Sequence, residues 1–412
     1  MNARRILLLD DDPFQLQLLA HQLAILGQAA VDACTSGQQA LDRLDGRAFG
    51  QQLIFLDLNM PGMDGVEFIR HLVDLQYTGA LVLVSGEDER ILETAARLAR
   101  AHRLNVLGHL NKPVQPATLQ ALLESWNRLP PNRIAAIGKR YAAVELRRAI
   151  DGGELVCHYQ PKVDVATGAL KGVETLVRWQ HPEDGLVYPD HFIGLAEDNG
   201  LIDDLTRVVL SEALAQARRW RDQGLLLRVA VNVSMDNLAR LDFTDFVLSQ
   251  ILASGVPAEE LILEVTESRL MREMLAPLEI LTRLRLKHIG LSIDDFGTGH
   301  SSLSQLRDIP FNELKIDRSF VHGADRDNTR HAIFAGSLGI AKQLGMTSVA
   351  EGVEDQADWN FLRQQGCDLA QGYFVAKPMA AENVQAWLHD WQARCRLLLT
   401  TVPESRPKRA ID

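Results

Sequence analysis

The sequence predicts an α/β protein in which a doubly wound domain is followed by a (β/α)8 barrel. Its 412 residues exceed the roughly 150 that are typical of one domain. Short apolar runs alternate with helical patterns along most of the chain, which is typical of βα units on parallel sheets. The segment Leu129-Pro130-Pro131-Asn132 divides this alternation into a shorter and a longer part, because prolines block helix continuation.

The shorter part, residues 1–128, is predicted to be the doubly wound domain. Its strand-like apolar runs are Ile6–Leu9, Leu53–Leu56, Leu81–Val84 and Val106–Leu110. A helix is predicted after Pro13, because leucines at 16, 19, 23 and 26 lie on one helical face and Gly27 can end it. Pro116–Trp126 is predicted to be the closing helix, and residues 129–138 the linker.

The longer part, residues 139–393, is predicted to be the barrel. A helical pattern over Ile134–Ile150 is followed by alternating strand-like and helical runs up to Trp391. A stretch of this length has the size of a (β/α)8 barrel, about 250 residues. Residues 394–412 contain several basic residues and two prolines, with little to bury, and are expected to form a disordered tail.

The composition excludes some classes of function. Lysine and arginine total 43 against 54 acidic residues, so the formal net charge is −11. A general binder of nucleic acid carries the opposite balance, and DNA is not an expected partner. No apolar stretch reaches the roughly 18 residues of a membrane span, and Ile6–Leu9 is too short for a secretion signal. We therefore expect a cytoplasmic protein without membrane insertion.

Five polar residues of the first part follow predicted parallel strands, where open α/β sheets bind ligands. They are Asp10, Asp11, Asp57, Ser85 and Lys112. Clustered carboxylates at such a place favour Mg²⁺. A carboxylate beside Mg²⁺ can attack a phosphorus atom, because the metal and a lysine neutralise the phosphoryl charge and a hydroxyl binds its oxygens. The pattern predicts aspartyl phosphorylation chemistry, for which a carboxylate such as Asp57 is suited.

The segments Leu8–Pro13, Leu56–Gly65 and Lys112-Pro113 resemble the two-component receiver domain, which has a flavodoxin-like fold. The resemblance implies that Asp57 is the phosphoacceptor and that it binds one Mg²⁺ together with Asp10 and Asp11. Ser85 and Lys112 would be the switch hydroxyl and the lysine that contacts the phosphoryl group. The implied partner is a sensor histidine kinase or a phosphotransfer protein. His109 stands where receivers usually carry Tyr or Phe.

Polar residues suited to metal or phosphate chemistry also follow the apolar runs of the second part. They are Glu174, Asn232, Glu264, Asp294 with Asp295, Lys315, Glu351 and Gln371. The active sites of barrels are built from strand ends, which is where these residues are predicted to lie.

Five carboxylates at one barrel mouth could not all ionise without cations. With Asn232 as a neutral oxygen ligand and Lys315 as the cation, the set suits two Mg²⁺ or Mn²⁺ ions. A two-metal site activates water and clamps a phosphodiester. The sequence therefore predicts metal-dependent hydrolysis of a phosphodiester.

Seven ordered motifs in residues 139–391 resemble those of EAL-type cyclic di-GMP phosphodiesterases. They are Glu174–Trp179, Asn232–Ser234, Glu264–Glu267, Asp294–Gly299, Leu314–Asp317, Ala350–Glu354 and Gln371–Phe374. Thr175 replaces the usual alanine of the first motif, and His300 stands where Tyr or Phe is frequent.

The resemblance implies a role for each matching residue. Glu174, Asn232, Glu264 and Asp294 would bind one metal, and Asp294 would bridge to a second metal near Asp295. Lys315 would orient the attacking water and contact the scissile phosphate. Glu351 would act as the base for this water or as a partner of the metals. Gln371 and Asp317 would complete the metal site. Gln160, Leu176 and Arg178 would bind substrate, and Glu267 would anchor the loop after Asp295.

The resulting hypothesis is a response regulator that hydrolyses cyclic di-GMP to linear 5′-pGpG, with phosphorylation of Asp57 regulating the activity. The resemblance also implies a homodimer or a higher homo-oligomer. Two alternatives belong to other classes. A receptor that binds cyclic di-GMP without cleaving it would be marked by lost metal carboxylates, and a receiver-driven scaffold would not require the intact set. Asp317 and Glu354 could also be helix-start carboxylates, which is the preferred interpretation for Glu354.

Overall fold

The computed structural model describes residues 5–28, 30–44, 52–86, 89–102, 104–128, 141–266, 275–297 and 303–400. The chain divides into two compact units, Met1–Arg140 and Tyr141–Asp412. None of the described helices combines the length and the apolar character that a membrane span requires.

The first unit contains a parallel sheet in the order β2-β1-β3-β4-β5. Its strands are β1 (Arg5–Leu9), β2 (Val31–Cys34), β3 (Gln52–Asp57), β4 (Ala80–Ser85) and β5 (Asn105–Asn111). Its helices are α1 (Pro13–Ile25), α2 (Gly37–Leu44), α3 (Gly65–Asp74), α4 (Glu89–Ala101) and α5 (Pro116–Arg128). The strands and helices predicted from the sequence are confirmed here.

Helices cover both faces of this sheet. Because successive residues of a strand point to opposite faces, Ile6 and Leu8 of β1 pack with α1 and α5, whereas Leu7 and Leu9 pack with α2, α3 and α4. The Asp12 side chain caps α1 by accepting a hydrogen bond from the Phe14 amide. The doubly wound fold is thereby confirmed.

The second unit is a closed barrel. Its strands are β6 (Leu155–Asp164), β7 (Leu170–His181), β8 (Gly185–Val187), β9 (Arg228–Val233), β10 (Leu261–Thr266), β11 (Gly290–Phe296), β12 (Glu313–Ile316), β13 (Thr347–Ala350) and β14 (Leu369–Ala370). The order is β6-β14-β13-β12-β11-β10-β9-β7-β8, and pairing of β6 with β7 closes eight of these described strands into the barrel.

One strand departs from the uniform parallel arrangement of the predicted barrel. Strand β6 is antiparallel to both of its neighbours, β7 and β14. An antiparallel pair needs only a short turn and no crossover helix, and residues 165–169 connect β6 to β7. Strand β7 continues to His181 and pairs with β8. The prediction that a strand ends at Glu174 is therefore wrong, since Glu174 lies inside β7.

Helices surround the barrel and share one apolar core with it. They are α6 (Ala143–Gly152), α7 (Ile193–Asp198), α8 (Ile202–Asp222), α9 (Met235–Leu238), α10 (Asp242–Ser254), α11 (Leu275–Leu286), α12 (Leu303–Asp308), α13 (Arg318–Val321), α14 (Asn328–Gln343), α15 (Gln356–Gln365) and α16 (Val384–Thr400). Short 3-10 helices cover Pro189–His191, Ala258–Glu260 and Ala381–Asn383. The predicted linker and the first residues of the predicted helix over Ile134–Ile150 lie outside the described residues.

The C-terminal helix α16 corrects the expectation of a disordered tail from Arg394 onward. The helix continues to Thr400, and residues 401–412 lie outside the described part. Cys395 and Leu398 are buried, because they follow the buried Trp391 at helical spacing. The Trp391 indole donates a hydrogen bond to the Gly168 carbonyl at 2.9 Å. The arginines of this segment predict a solvated tail, but the apolar face of the helix packs on the barrel.

Truncation tests this packing. A chain that ends at Ala393 loses the buried Cys395 and Leu398 side chains, and a chain that ends at Thr400 keeps them. We expect the shorter chain to be less stable by about 2 to 4 kcal/mol, the cost of removing such apolar contacts. Thermal unfolding followed by circular dichroism measures the difference. Equal melting temperatures would show that the last turns of α16 do not stabilise the barrel.

Candidate functional site

An acidic pocket lies at the carboxyl ends of β1, β3 and β5 in the first unit. Asp10 and Asp57 are buried and Asp11 is exposed, and each offers an oxygen within 4.8 Å of the others. The Lys112 ammonium lies 2.7 Å from Asp10 Oδ2 and 2.8 Å from Asp57 Oδ2. Ser85 is buried, and its carbonyl accepts a hydrogen bond from the Lys112 amide at 2.8 Å. The structure thus brings together the five residues that the sequence singled out.

The ionisation of this pocket depends on Lys112. Burial raises the pKa of Asp10, and the hydrogen bond from Lys112 opposes this rise. Burial alone would lower the pKa of Lys112, but its contacts with Asp10 and Asp57 raise it. Lys112 is therefore charged at neutral pH. An ammonium group beside three carboxylates suits both a divalent cation and a phosphoryl group.

The barrel mouth is organised around Lys315 of β12. This side chain is 1% exposed, and its ammonium contacts Glu351 Oε1 at 2.7 Å, Glu264 Oε2 at 2.9 Å and Asp294 Oδ1 at 2.9 Å. Glu174 Oε2 lies 3.5 Å from it. These residues come from β7, β10, β11 and the end of β13. Four carboxylates, each positioned by a different strand of the barrel, therefore converge on one cation.

Two amide side chains fix Glu174. The Asn232 amide donates to Glu174 Oε1 at 2.9 Å, and the Gln371 amide donates to Glu174 Oε2 at 2.5 Å. Gln371 also donates to Gln160 Oε1 at 3.0 Å, and Gln160 donates to the Ala376 carbonyl at 3.0 Å. Both oxygens of Glu174 therefore have defined hydrogen-bond partners, which keeps the carboxylate in one orientation.

An irregularity of β11 brings two successive aspartates to the same mouth. Successive residues of a regular strand point to opposite faces, but the pairing of β11 with β12 shifts register between Ile293 and Phe296. Asp295 has a φ of 55°, in the left-handed region that few residues other than glycine adopt. As a result Asp294, Asp295 and Glu351 offer oxygens within 4.8 Å of one another.

The carboxylates of the mouth differ in their ionisation. Burial raises the pKa values of Glu174, Asp294 and Glu351, and the charge of Lys315 opposes the rise. For Glu264, burial is outweighed by two lysines, Lys162 and Lys315, which lower its pKa to about 2.

Burial alone would lower the pKa of Lys315, but the carboxylates of Asp294, Glu174, Glu264 and Glu351 raise it. The charge of one lysine does not balance the negative charge of these carboxylates, so the cluster can bind further cations. Its donors are hard oxygens, which fit Mg²⁺ or Mn²⁺.

The sequence interpretation missed two charged residues, Lys162 of β6 and Glu313 of β12. Lys162 is 2% exposed, and its ammonium lies 2.5 Å from Glu264 Oε1 and 3.0 Å from Glu313 Oε1. The alternation of side chains along a strand could have identified them. Lys162 lies two residues after Gln160, and Glu313 lies two residues before Lys315, so each shares a strand face with a residue that the sequence singles out.

Arg178 lies on β7, the strand that carries Glu174, and is 5% exposed. Its Nη1 donates to the Val177 carbonyl at 2.9 Å, and its guanidinium lies 5.0 Å from the centre of the Tyr188 ring. Its Nε is buried without a hydrogen-bond partner among the described residues. Leu176, on the same strand, is partly exposed. Tyr188 is a neighbour that the sequence interpretation did not include.

The remaining predicted residues lie near helix starts or beyond the described part. The Asp317 side chain accepts a hydrogen bond from the Ser319 amide at 2.9 Å and caps α13. Glu354 pairs with Arg318, and the cap of α15 is Asp355, so the interpretation of Glu354 as a helix-start carboxylate is wrong. Glu267 and His300 lie outside the described residues.

Comparison with known families agrees with this arrangement. Residues 6–124 match the response regulator receiver domain, and residues 143–378 match the EAL domain. The chain therefore belongs to the EAL domain family, as a response regulator whose receiver domain precedes the EAL domain.

Individual relatives show how far the similarity extends. Cyclic di-GMP phosphodiesterase RocR of Pseudomonas aeruginosa is 31% identical over 385 residues, which cover 93% of this chain and 98% of the relative. The bifunctional diguanylate cyclase/cyclic di-GMP phosphodiesterase MucR of the same organism is 43% identical over 243 residues, but these are only 36% of its length. The solved structure of the PaMucR phosphodiesterase in complex with c-di-GMP has a TM-score of 0.56 at 43% identity, covering 58% of this chain and 98% of the other.

The raised pKa of Glu351 predicts a dependence of stability on pH. At about pH 8, with a chelator present, the folded protein must either bury the Glu351 carboxylate or protonate it. Both cost free energy, because the unfolded chain has the ordinary pKa of 4.5 and a solvated carboxylate. Glu351→Gln removes this cost, and we expect it to raise the free energy of unfolding by about 1 to 3 kcal/mol. Below the ordinary pKa the carboxyl is protonated in both states, so the gain should vanish as the pH falls.

Urea unfolding of both proteins at several pH values measures this gain. Glu212→Gln, which changes an exposed carboxylate on α8, is the matched control and should give no such gain. A Glu351→Gln protein that is less stable than the wild type at about pH 8 would contradict the assigned pKa direction.

Proposed function

We propose that this response regulator hydrolyses cyclic di-GMP to linear 5′-pGpG and that phosphorylation of Asp57 regulates the hydrolysis. One observation carries the proposal: Glu174, Glu264, Asp294 and Glu351 converge on Lys315 at the barrel mouth. The similarity to RocR over 93% of the chain supports cyclic di-GMP as the substrate. The complete set of carboxylates favours an enzyme over a receptor that only binds.

Two observations support the proposed metal ligands. Asp294, Asp295 and Glu351 offer oxygens within 4.8 Å of one another, and Glu174 and Glu264 contact Lys315. Glu174, Asn232, Glu264 and Asp294 would bind one divalent cation, and Asp294, Asp295 and Glu351 would bind a second, with Asp317 and Gln371 completing the site as the resemblance implies. Bound Mg²⁺ or Mn²⁺ would supply an activated water and would neutralise charge on the phosphodiester. The receiver domain would bind one further cation through Asp10, Asp11 and Asp57.

The side chains of the mouth have distinct tasks in the proposed reaction. Lys315 would donate hydrogen bonds to the attacking water and to the scissile phosphate. Glu351 would accept a proton from that water or act as a partner of the metals, as the family resemblance implies. The water oxygen would form the new bond to phosphorus as the bond to the ribose 3′-oxygen breaks, and that oxygen would leave with a proton from solvent.

Substrate would be held beside this centre. Arg178 presents a planar guanidinium that suits bidentate contact with a phosphate, and its buried Nε lacks a hydrogen-bond partner among the described residues. Gln160 and Leu176 would contact the nucleotide. Gln371 donates a hydrogen bond to Gln160, so a residue proposed to contact the nucleotide is linked directly to a residue of the proposed metal site.

The receiver domain would pass on a signal from a phosphodonor. In the proposed step the Asp57 carboxylate attacks the phosphorus of a phosphohistidine, whose bond to nitrogen breaks. Lys112 and Ser85 would then bind the phosphoryl oxygens on Asp57. The partner would be a sensor histidine kinase or a phosphotransfer protein. Assembly into a homodimer or a higher homo-oligomer stays a prediction from the family resemblance.

Replacement of the central carboxylates tests the enzyme assignment. We expect Glu174→Ala and Glu351→Ala each to lower turnover of cyclic di-GMP about a hundred- to a thousandfold, because each removes a group that acts at the reacting phosphate. Product formation in the presence of Mn²⁺ is measured by chromatography. Glu212→Ala, on the exposed face of α8, is the matched control and should keep the activity. Wild-type activity in Glu351→Ala would exclude the proposed site.

Replacement of the phosphoacceptor tests whether regulation and hydrolysis belong to different domains. Asp57→Ala should keep the basal turnover, because Asp57 belongs to the receiver domain and the proposed hydrolysis uses residues of the barrel alone. Beryllofluoride, which mimics a phosphoryl group on aspartate, should change the turnover of the wild type and leave that of Asp57→Ala unchanged. An Asp57→Ala protein that has lost its basal activity would contradict the modular interpretation.

A further inference from the structure

Lys162 is a buried cation that reaches across the barrel. It lies on β6, yet its ammonium contacts Glu264 of β10 at 2.5 Å and Glu313 of β12 at 3.0 Å. Both carboxylates are buried as well, with 0% and 3% of their surface exposed. A lysine in such surroundings is stable only when its charge is compensated at close range. The raised pKa of Lys162, which the two carboxylates cause against the effect of burial, agrees with a charged side chain.

The strand register explains why the ammonium fits between these carboxylates. Glu264 of β10 pairs with Ser292 of β11, and Ser292 pairs with Glu313 of β12. Side chains at paired positions of parallel strands point to the same side of the sheet, so the three residues form one row inside the barrel. Ser292, in the middle, is small. The Lys162 ammonium contacts the carboxylates at the two ends of this row.

Glu264 has its two oxygens divided between two lysines. Its Oε1 is bound by Lys162 and its Oε2 by Lys315, at 2.9 Å. Lys315 belongs to the mouth, whereas Lys162 has Glu313 as its second partner and contacts none of the other described carboxylates of the mouth within 4.0 Å. Lys162 therefore fixes one oxygen of Glu264 in the interior, and the other oxygen is left facing the mouth.

We propose that Lys162 is a positioning residue of the hydrolase, which orients Glu264 so that Oε2 faces the metal-binding mouth. The inference rests on the proposed function, because Glu264 is a metal ligand only there. Glu313 compensates the charge of Lys162, so that Glu264 is oriented while it keeps its own negative charge for a cation. Groups that orient metal ligands in this way commonly change metal affinity about ten- to a hundredfold when they are removed.

The test compares variants that differ only in the Lys162 ammonium. Lys162→Met alone would leave two buried carboxylates without their common cation and can fail to fold. The informative pair is Glu313→Gln and the double variant Lys162→Met/Glu313→Gln, because Glu313 is neutral in both. Lys162→Gln, which keeps a hydrogen-bond donor but no charge, is made in the same Glu313→Gln background and measured beside them. All are made in the full chain with Asp11→Asn and Asp57→Asn, so that Mn²⁺ binding by the receiver domain is weakened equally.

Binding of Mn²⁺ is measured by calorimetry without substrate, and thermal unfolding is measured on the same samples. We expect the dissociation constant of Mn²⁺ to rise about tenfold or more from Glu313→Gln to the double variant, with Lys162→Gln weakened in the same direction. Folded double and Lys162→Gln variants that bind Mn²⁺ as tightly as Glu313→Gln would overturn the proposal and leave Lys162 with a structural role alone.

The outcome is separable from that of the proposed function. If the dissociation constants shift as expected but the otherwise unmodified chain leaves cyclic di-GMP intact, the proposed hydrolysis fails and the assignment of Lys162 stands. If the unmodified chain hydrolyses cyclic di-GMP and the constants do not differ, the assignment of Lys162 fails and the hydrolysis stands.

Discussion

The contact of one ammonium group, that of Lys315, with four converging carboxylates is the interaction on which the barrel mouth depends. Carboxylates this close repel one another strongly in a buried environment. Lys315 compensates part of that repulsion, and it opposes the rise in the pKa values of Glu174, Asp294 and Glu351 that burial causes. The receiver pocket follows the same rule, since Lys112 holds Asp10 and Asp57 together. Both sites are thereby suited to divalent cations.

The barrel backbone is shaped to keep these charges in place. The register shift in β11 and the left-handed Asp295 turn two successive aspartates to one side, which a regular strand cannot do. Hydrogen bonds from Asn232 and Gln371 orient Glu174, and Lys162 binds the inner oxygen of Glu264. The unfavourable charge cluster is thus stabilised by surrounding structure, a pattern that is common where a protein binds a ligand and not where it only folds.

The carboxylates that the structure gathers around Lys112 and Lys315 were singled out from the sequence, because they follow runs of apolar residues and strand ends gather at one edge of a parallel sheet. Glu174 follows such a run but lies inside β7. It does not predict that β6 runs antiparallel, since a strand-like pattern carries no direction. Lys162 and Glu313 were missed because a charged residue in a strand usually indicates an exposed face. The helix from Arg394 to Thr400 was missed because its basic residues outweighed the spacing of Trp391, Cys395 and Leu398.

The most direct test of the central claim, that the barrel mouth cleaves a phosphodiester with water, is hydrolysis in water labelled with heavy oxygen. The purified full-length protein is incubated with cyclic di-GMP and Mn²⁺, and the product is analysed by mass spectrometry. The account predicts linear pGpG with one labelled oxygen in its 5′-phosphate, and no product when a chelator removes the metal. Intact cyclic di-GMP, or a linear product without label, would contradict it.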